Sequence, residues 1–100
     1  MSVYAEMLKM ALEADEHGNS SVSDLVSRAL TCRLDLDVGG DAASRLARVL
    51  AYDVTLVRLC EQLGLPHDLT GPGAGPSTRR QVERALAGKV PDFSTGLRRS

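Results

Sequence analysis

The stretch from Asp41 to Leu63 constrains this chain most, because it is the longest segment that reads as one helix and its apolar face carries a carboxylate at its centre. At about 100° per residue, Leu46, Val49, Leu50, Val57 and Cys60 cluster around one direction, and Asp53 points within roughly 20° of it. Ser44, Arg45, Arg48, Thr55, Arg58 and Gln62 fall on the flanks or the back. A continuous helix of this length spans about 35 Å, enough to cross a domain of this size and organise its core. A carboxylate on that face needs a partner, since leaving a charge alone in a core costs several kcal/mol.

The remaining chain reads as shorter helices. Val3 to Glu16 places Val3, Met7, Met10, Ala11 and Ala14 on one face, with Tyr4 and Leu8 on its shoulder and Glu6, Lys9, Glu13 and Glu16 on the other side. His17-Gly18-Asn19 supplies a left-handed cap for its end. The next helix starts at Ser21, a natural N-cap with Asp24 three residues on, and buries Val22, Leu25, Val26, Ala29 and Leu30. Arg33 continues that stripe where an apolar residue is expected. Two charges therefore enter the interior from different helices, and the simplest expectation is a partly buried Arg33–Asp53 ion pair that fixes helix register.

Leu34-Asp35-Leu36-Asp37-Val38 alternates apolar and acidic residues, which reads as an extended connector, and Gly39-Gly40 breaks it before Asp41 caps the long helix. Leu63-Gly64-Leu65-Pro66 ends that helix. From Pro66 to Pro76 the composition turns to Gly and Pro, as in a flexible loop. A last helix should run from Ser77 to Val90, with Val82, Ala85, Leu86 and Val90 inward and Pro91 as its stop. Residues 92–100 read as a fraying tail that Phe93 can anchor. The expected fold is thus a single all-α domain over residues 1–100: four helices, the long one central, with a Gly/Pro-rich loop before the last.

Composition agrees with helices. The aromatic residues are only Tyr4, Tyr52 and Phe93, so the core must come from Leu, Val, Ala and Met, which suit helices better than sheets. At 100 residues such a core needs neither a metal nor a disulfide. Cys32 and Cys60 lack metal-ligand spacing and sit among apolar residues, which implies buried free thiols and a reducing compartment, the cytoplasm. Glu6 and Lys9 interrupt any apolar signal region, and Arg45, Arg48, Asp53 and Arg58 interrupt the longest apolar stretch, so neither a secretory signal nor a membrane span is expected.

The net charge of -1 hides an asymmetry: residues 1–64 hold six Lys/Arg against ten Asp/Glu, and residues 65–100 six against three. Such a difference can orient a protein partner but falls short of the balance of a nucleic-acid binder. Three constellations could carry chemistry. Asp35 to Asp41 has the spacing of a calcium loop only at its start, because Gly39 and Leu46 stand where oxygen ligands belong. Ser77, Thr78, Arg79, Arg80 and Arg84, after the glycine loop, could receive an anion or a partner at a helix N-terminus, although prolines remove donors there. Cys60 or Asp53 with His67 is the only enzyme-like construction, and it lacks a group to orient the histidine. With Lys89, the same basic helix offers a route to nucleic acid, without aromatic residues for base stacking.

The segment Ala11 to Leu34, with Gly18-Asn19-Ser20-Ser21-Val22-Ser23-Asp24-Leu25-Val26 at its centre, resembles the two helices of ribbon-helix-helix DNA-binding repressors. The resemblance implies an N-terminal strand that pairs in a dimer, and this chain departs from it by opening with helix formers. No functional residue is carried over from it. The expected function is that of a small helical protein-protein interaction or regulatory domain without cofactor or metal, its partner another protein or a second copy of itself. The central helix has surplus apolar surface for such a contact, in Ala47, Tyr52, Val54, Leu56 and Leu59.

Overall fold

The computed structural model describes residues 3–14, 21–36, 39–71 and 75–99. These form five helices, α1 (Val3–Ala14), α2 (Val22–Asp35), α3 (Ala42–Leu63), α4 (Pro76–Lys89) and α5 (Pro91–Arg99), and the described residues contain no strand. The fold is all-α. The chain is helical from Val3, where ribbon-helix-helix proteins have their strand.

Local chemistry sets the helix ends. Ser21 Oγ accepts the Asp24 amide at 3.2 Å, and Asp41 Oδ1 accepts the Ser44 amide at 2.7 Å, each satisfying a donor that the helix leaves open. Gly64 closes α3 at φ 69, a left-handed geometry that favours glycine, and the Leu65 amide reaches back to the Cys60 carbonyl at 2.8 Å. Helix α4 begins at Pro76 rather than Ser77, because proline at the first helical position lacks only an amide that would have no partner anyway.

The second half of α3 is the centre of the core. Every residue from Tyr52 to Val57 is buried, as are Leu59 and Cys60, while Ala51, Glu61 and Gln62 reach the surface. Helices α1, α2 and α4 pack against it, while α5 lies on α2 and α4. Leu8, Leu25, Val26, Ala29, Val82 and Leu86 complete the cluster, and Leu69 plugs into it from the loop after α3. That loop is anchored on this side, where the Gly71 amide bonds the Asp68 carbonyl; Pro72, Gly73 and Ala74 lie outside the described residues.

Three expectations change. Helix α1 buries Ala5 and Leu8 and packs Tyr4, Ala11 and Leu12, a face turned about 120° from the Val3–Met7–Met10 stripe. Val3 and Met10 are 72% and 69% exposed. Both faces of this helix are apolar, and the tyrosine hydroxyl decides between them, as shown below. Leu34 and Asp35 belong to α2, which runs on to a cap at Leu36, so the alternation reflects a helix end and not an extended segment. The expected cap His17-Gly18-Asn19 and residues Asp37 and Val38 lie outside the described residues.

The tail is the third change. Pro91 stops α4 and starts α5, giving a fifth helix whose Phe93 is fully buried. At Gly96 a Cβ would fall 2.3 Å from Leu30 Cδ2, so a missing side chain brings α5 close against α2. Phe93→Ala should therefore cost about 3–5 kcal/mol in urea unfolding, as for a large core side chain. A loss below about 1 kcal/mol would mean that the tail does not contribute to the core.

Candidate functional site

Tyr52 and Asp53, adjacent on α3, each sit in a polar cluster that reaches α4. Arg79 donates from Nε to Asp53 Oδ1 at 2.7 Å and from Nη2 to Oδ2 at 2.8 Å, a two-pronged contact that matches the planar guanidinium to the carboxylate. The Tyr4 hydroxyl donates to Asp53 Oδ2 as well. In the second cluster Arg33 is ion-paired with Glu83, the Tyr52 hydroxyl donates to the same Glu83 oxygen, and Arg33 Nη1 donates to the Tyr52 hydroxyl at 3.4 Å. Each cluster is one carboxylate, one guanidinium and one phenol.

The expected Arg33–Asp53 pair is thus replaced by two pairs, Arg79–Asp53 and Arg33–Glu83. The signal for this was in α4. Arg79, Val82, Glu83 and Leu86 follow the i, i+3, i+4, i+7 spacing of a single inward stripe, so Arg79 and Glu83 continue the apolar face just as Arg33 does on α2. Tyr4 likewise lies one turn before Leu8.

This arrangement binds helices and leaves little for catalysis. Asp53 is 0% exposed and both its oxygens are committed, so no lone pair faces a substrate. Burial pushes the Cys60 thiol up to about 11, which keeps it protonated and inert at neutral pH. Burial and the bond to Asp53 push the Tyr4 phenol well above its ordinary range, and burial with the bond to Glu83 does the same for Tyr52. The bond to Asp53 also strengthens the hold of Arg79 on its proton.

The expected anion cluster is divided. Arg79 turns inward, whereas Ser77, Arg80 and Arg84 remain exposed and Thr78 is half-buried beside His67 in a small cleft of about 160 Å³. The described residues offer no group of three or more His, Cys, Asp or Glu that could hold a metal, and no helix among them is long and apolar enough to cross a membrane. Asp41 is engaged as the α3 cap, and the hydrogen bonds from Ser44 hold its carboxyl below the usual range.

A second feature lies on the opposite face of α3. Among the described residues the backbones of α1 and α2 do not approach each other closely, and between the two helices runs an open groove of about 510 Å³. Its floor is Ala47, Leu50, Ala51 and Val54 of α3, with Ala14 on one wall and Cys32 on the other. Arg28 is the charged residue lining it. Ala14 belongs to the outward stripe Val3–Met7–Met10 of α1, so exposed apolar surface extends from the groove along that helix. The first part of α3 projects past the core, with residues 42–47 all exposed and Leu46 at 38%. The apolar face expected to run the whole length of α3 is therefore covered only in its second half.

Two outcomes test the clusters. A double-mutant cycle of Asp53→Leu with Arg79→Met should show coupling of about 1 kcal/mol or more, whereas Arg33→Met with Asp53→Leu should be nearly additive. The reverse ranking would restore the Arg33–Asp53 pair. Cys60, Tyr4 and Tyr52 hold their protons more tightly folded than unfolded, so the stability they lend is complete below the ordinary thiol and phenol values and declines as the unfolded chain deprotonates first. Urea unfolding should therefore show constant stability from about pH 7 to 8, a decline beginning near pH 9 and a steeper one above about pH 10. A flat profile through that range would place these groups in water.

No family model, curated protein or solved structure matches the chain, so its functional reading rests on the chemistry of these two faces.

Proposed function

We propose that this chain is a small protein-protein interaction or regulatory domain of the cytoplasm, whose working surface is the groove between α1 and α2 together with the α1 stripe beside it. One observation carries this reading: large apolar side chains lie in the open next to an apolar groove, with Val3 and Met10 more than two-thirds exposed. Isolated exposed apolar residues are ordinary on any protein, but a continuous patch around a concavity is a binding surface. The groove has two helical walls and a helical floor, which suits an amphipathic helix as its occupant. The two clusters on the other face of α3 support this role by holding the helices that form the groove. Free Cys32 and fully buried Cys60 suit a reducing compartment.

The test places a photo-crosslinking residue at Ala51, exposed on the groove floor, and, in a separate protein, at Arg84 on the exposed side of α4. In extract, the Ala51 probe should capture one defined polypeptide identified by mass spectrometry, and the Arg84 probe should not. Capture at Arg84 alone would move the working surface to the basic helix. No selective capture at Ala51 would remove the interaction reading.

A further inference from the structure

We infer that α1 is a detachable helix: it leaves α3 as a unit while α2, α3, α4 and α5 stay folded, and its departure opens the groove along that side. The inference rests on the interaction reading for its consequence and gives that surface a moving wall, since Ala11 and Ala14 of α1 line the groove. The placement of the helices supports it first. Helix α3 lies beside α2 and α4, and α5 bridges those two, so these four helices close a ring. Among the described helices, the backbone of α1 closely approaches that of α3 alone. Its buried residues are Ala5 and Leu8, while Val3 and Met10 face outward. An element with one neighbour and few buried apolar contacts is the part of a fold that opens first.

The polar anchors of α1 can let go without stranding a charge. The Tyr4 hydroxyl donates to Asp53, but Arg79 holds both oxygens of that carboxylate, at 2.7 and 2.8 Å, and keeps them when α1 departs. At the other end of α1, Arg58 Nη2 donates to the Leu12 carbonyl at 2.7 Å, one of the acceptors that a helix end leaves open. Arg58 Nη1 meanwhile stays on the Glu61 carboxylate at 3.1 Å. Each charged group that receives α1 therefore has a second partner within the ring. Helix α4 is the contrast. It too buries two apolar residues, Val82 and Leu86, yet its departure would take Arg79 from Asp53 and Glu83 from Arg33 together. Breaking buried pairs in that way is strongly destabilising, so the charges lock α4 in place and leave α1 releasable.

Native-state hydrogen exchange, read residue by residue by nuclear magnetic resonance, decides the matter. A helix of 12 residues scarcely holds its hydrogen bonds alone in water, so a released α1 exchanges along its whole length. Its amides should exchange together, about a hundredfold or more faster than those of Tyr52 to Cys60 in α3. Tyr4→Phe removes one anchor and keeps the ring, and it should speed exchange throughout α1 by about tenfold or more while leaving α2 and α4 unchanged. An α1 that exchanges at the rate of the α3 core overturns the inference. So does a gradient that leaves Leu12 as protected as that core, or a Tyr4→Phe effect as large in α4 as in α1. The crosslinking test separates the two readings: selective capture at Ala51 with α1 exchanging at the core rate overturns only the detachable helix. No capture with α1 exchanging alone removes only the interaction surface.

Discussion

A carboxylate with no exposure to water, placed midway along the longest helix, obliges other elements of the fold to meet it. Asp53 is reached by α1 through the Tyr4 hydroxyl and by α4 through the Arg79 guanidinium, and those three groups bring together parts of the chain that are up to 75 positions apart. Breaking such a pair leaves a buried charge uncompensated, while replacing both partners with apolar residues of similar shape can be neutral or stabilising. The contribution of the pair is therefore better understood as selecting one arrangement of helices than as adding to total stability. Tyr4 shows this in α1, a helix with two apolar faces: the face that carries the hydroxyl turns inward, and Met10 and Val3 turn out.

The second cluster makes the selection directional. Arg79 and Glu83 lie one turn apart on α4 with opposite charges, and they meet Asp53 and Arg33 respectively. Sliding α4 by one turn or reversing it would set Glu83 against Asp53 or Arg79 against Arg33, a like-charge contact in a poorly solvated place. Only one register satisfies both pairs. The apolar neighbours Val82 and Leu86 supply the burial that holds α4 down, and the charges decide where it sits.

Helix ends and the anomaly at Asp53 were legible in the chain because each depends on a few adjacent residues. Ser21, Asp41 and Gly64 announce their caps through side-chain oxygens or a left-handed turn, and Asp53 stands out against the leucines and valines around it. The partner of Asp53 was not legible from stripe patterns on α2 alone. Arg33 and Arg79 both continue inward stripes, and choosing between them requires knowing which helix lies across from which residue of α3, a property of packing at long range. The α5 helix was hidden for a local reason: Pro91, Gly96 and polar residues give little intrinsic preference for helix, and the burial of Phe93 supplies what the sequence lacks. The exposed stretch of α3 was hidden too, since periodicity marks an apolar face without saying what covers it.

The two faces of α3 thus divide the work. One is occupied by charge pairs that fix α1, α2 and α4, and the other is left open between α1 and α2 by that same placement. The central claim is the burial of Asp53 under Arg79, and nuclear magnetic resonance of the arginine side chains tests it most directly. A guanidinium held on a buried carboxylate should show an Arg79 Nε–H signal displaced from the position common to solvated arginines and protected from exchange with water, and Asp53→Asn should abolish both features. An Arg79 signal that coincides with those of Arg80 and Arg84 and exchanges as fast would contradict the account.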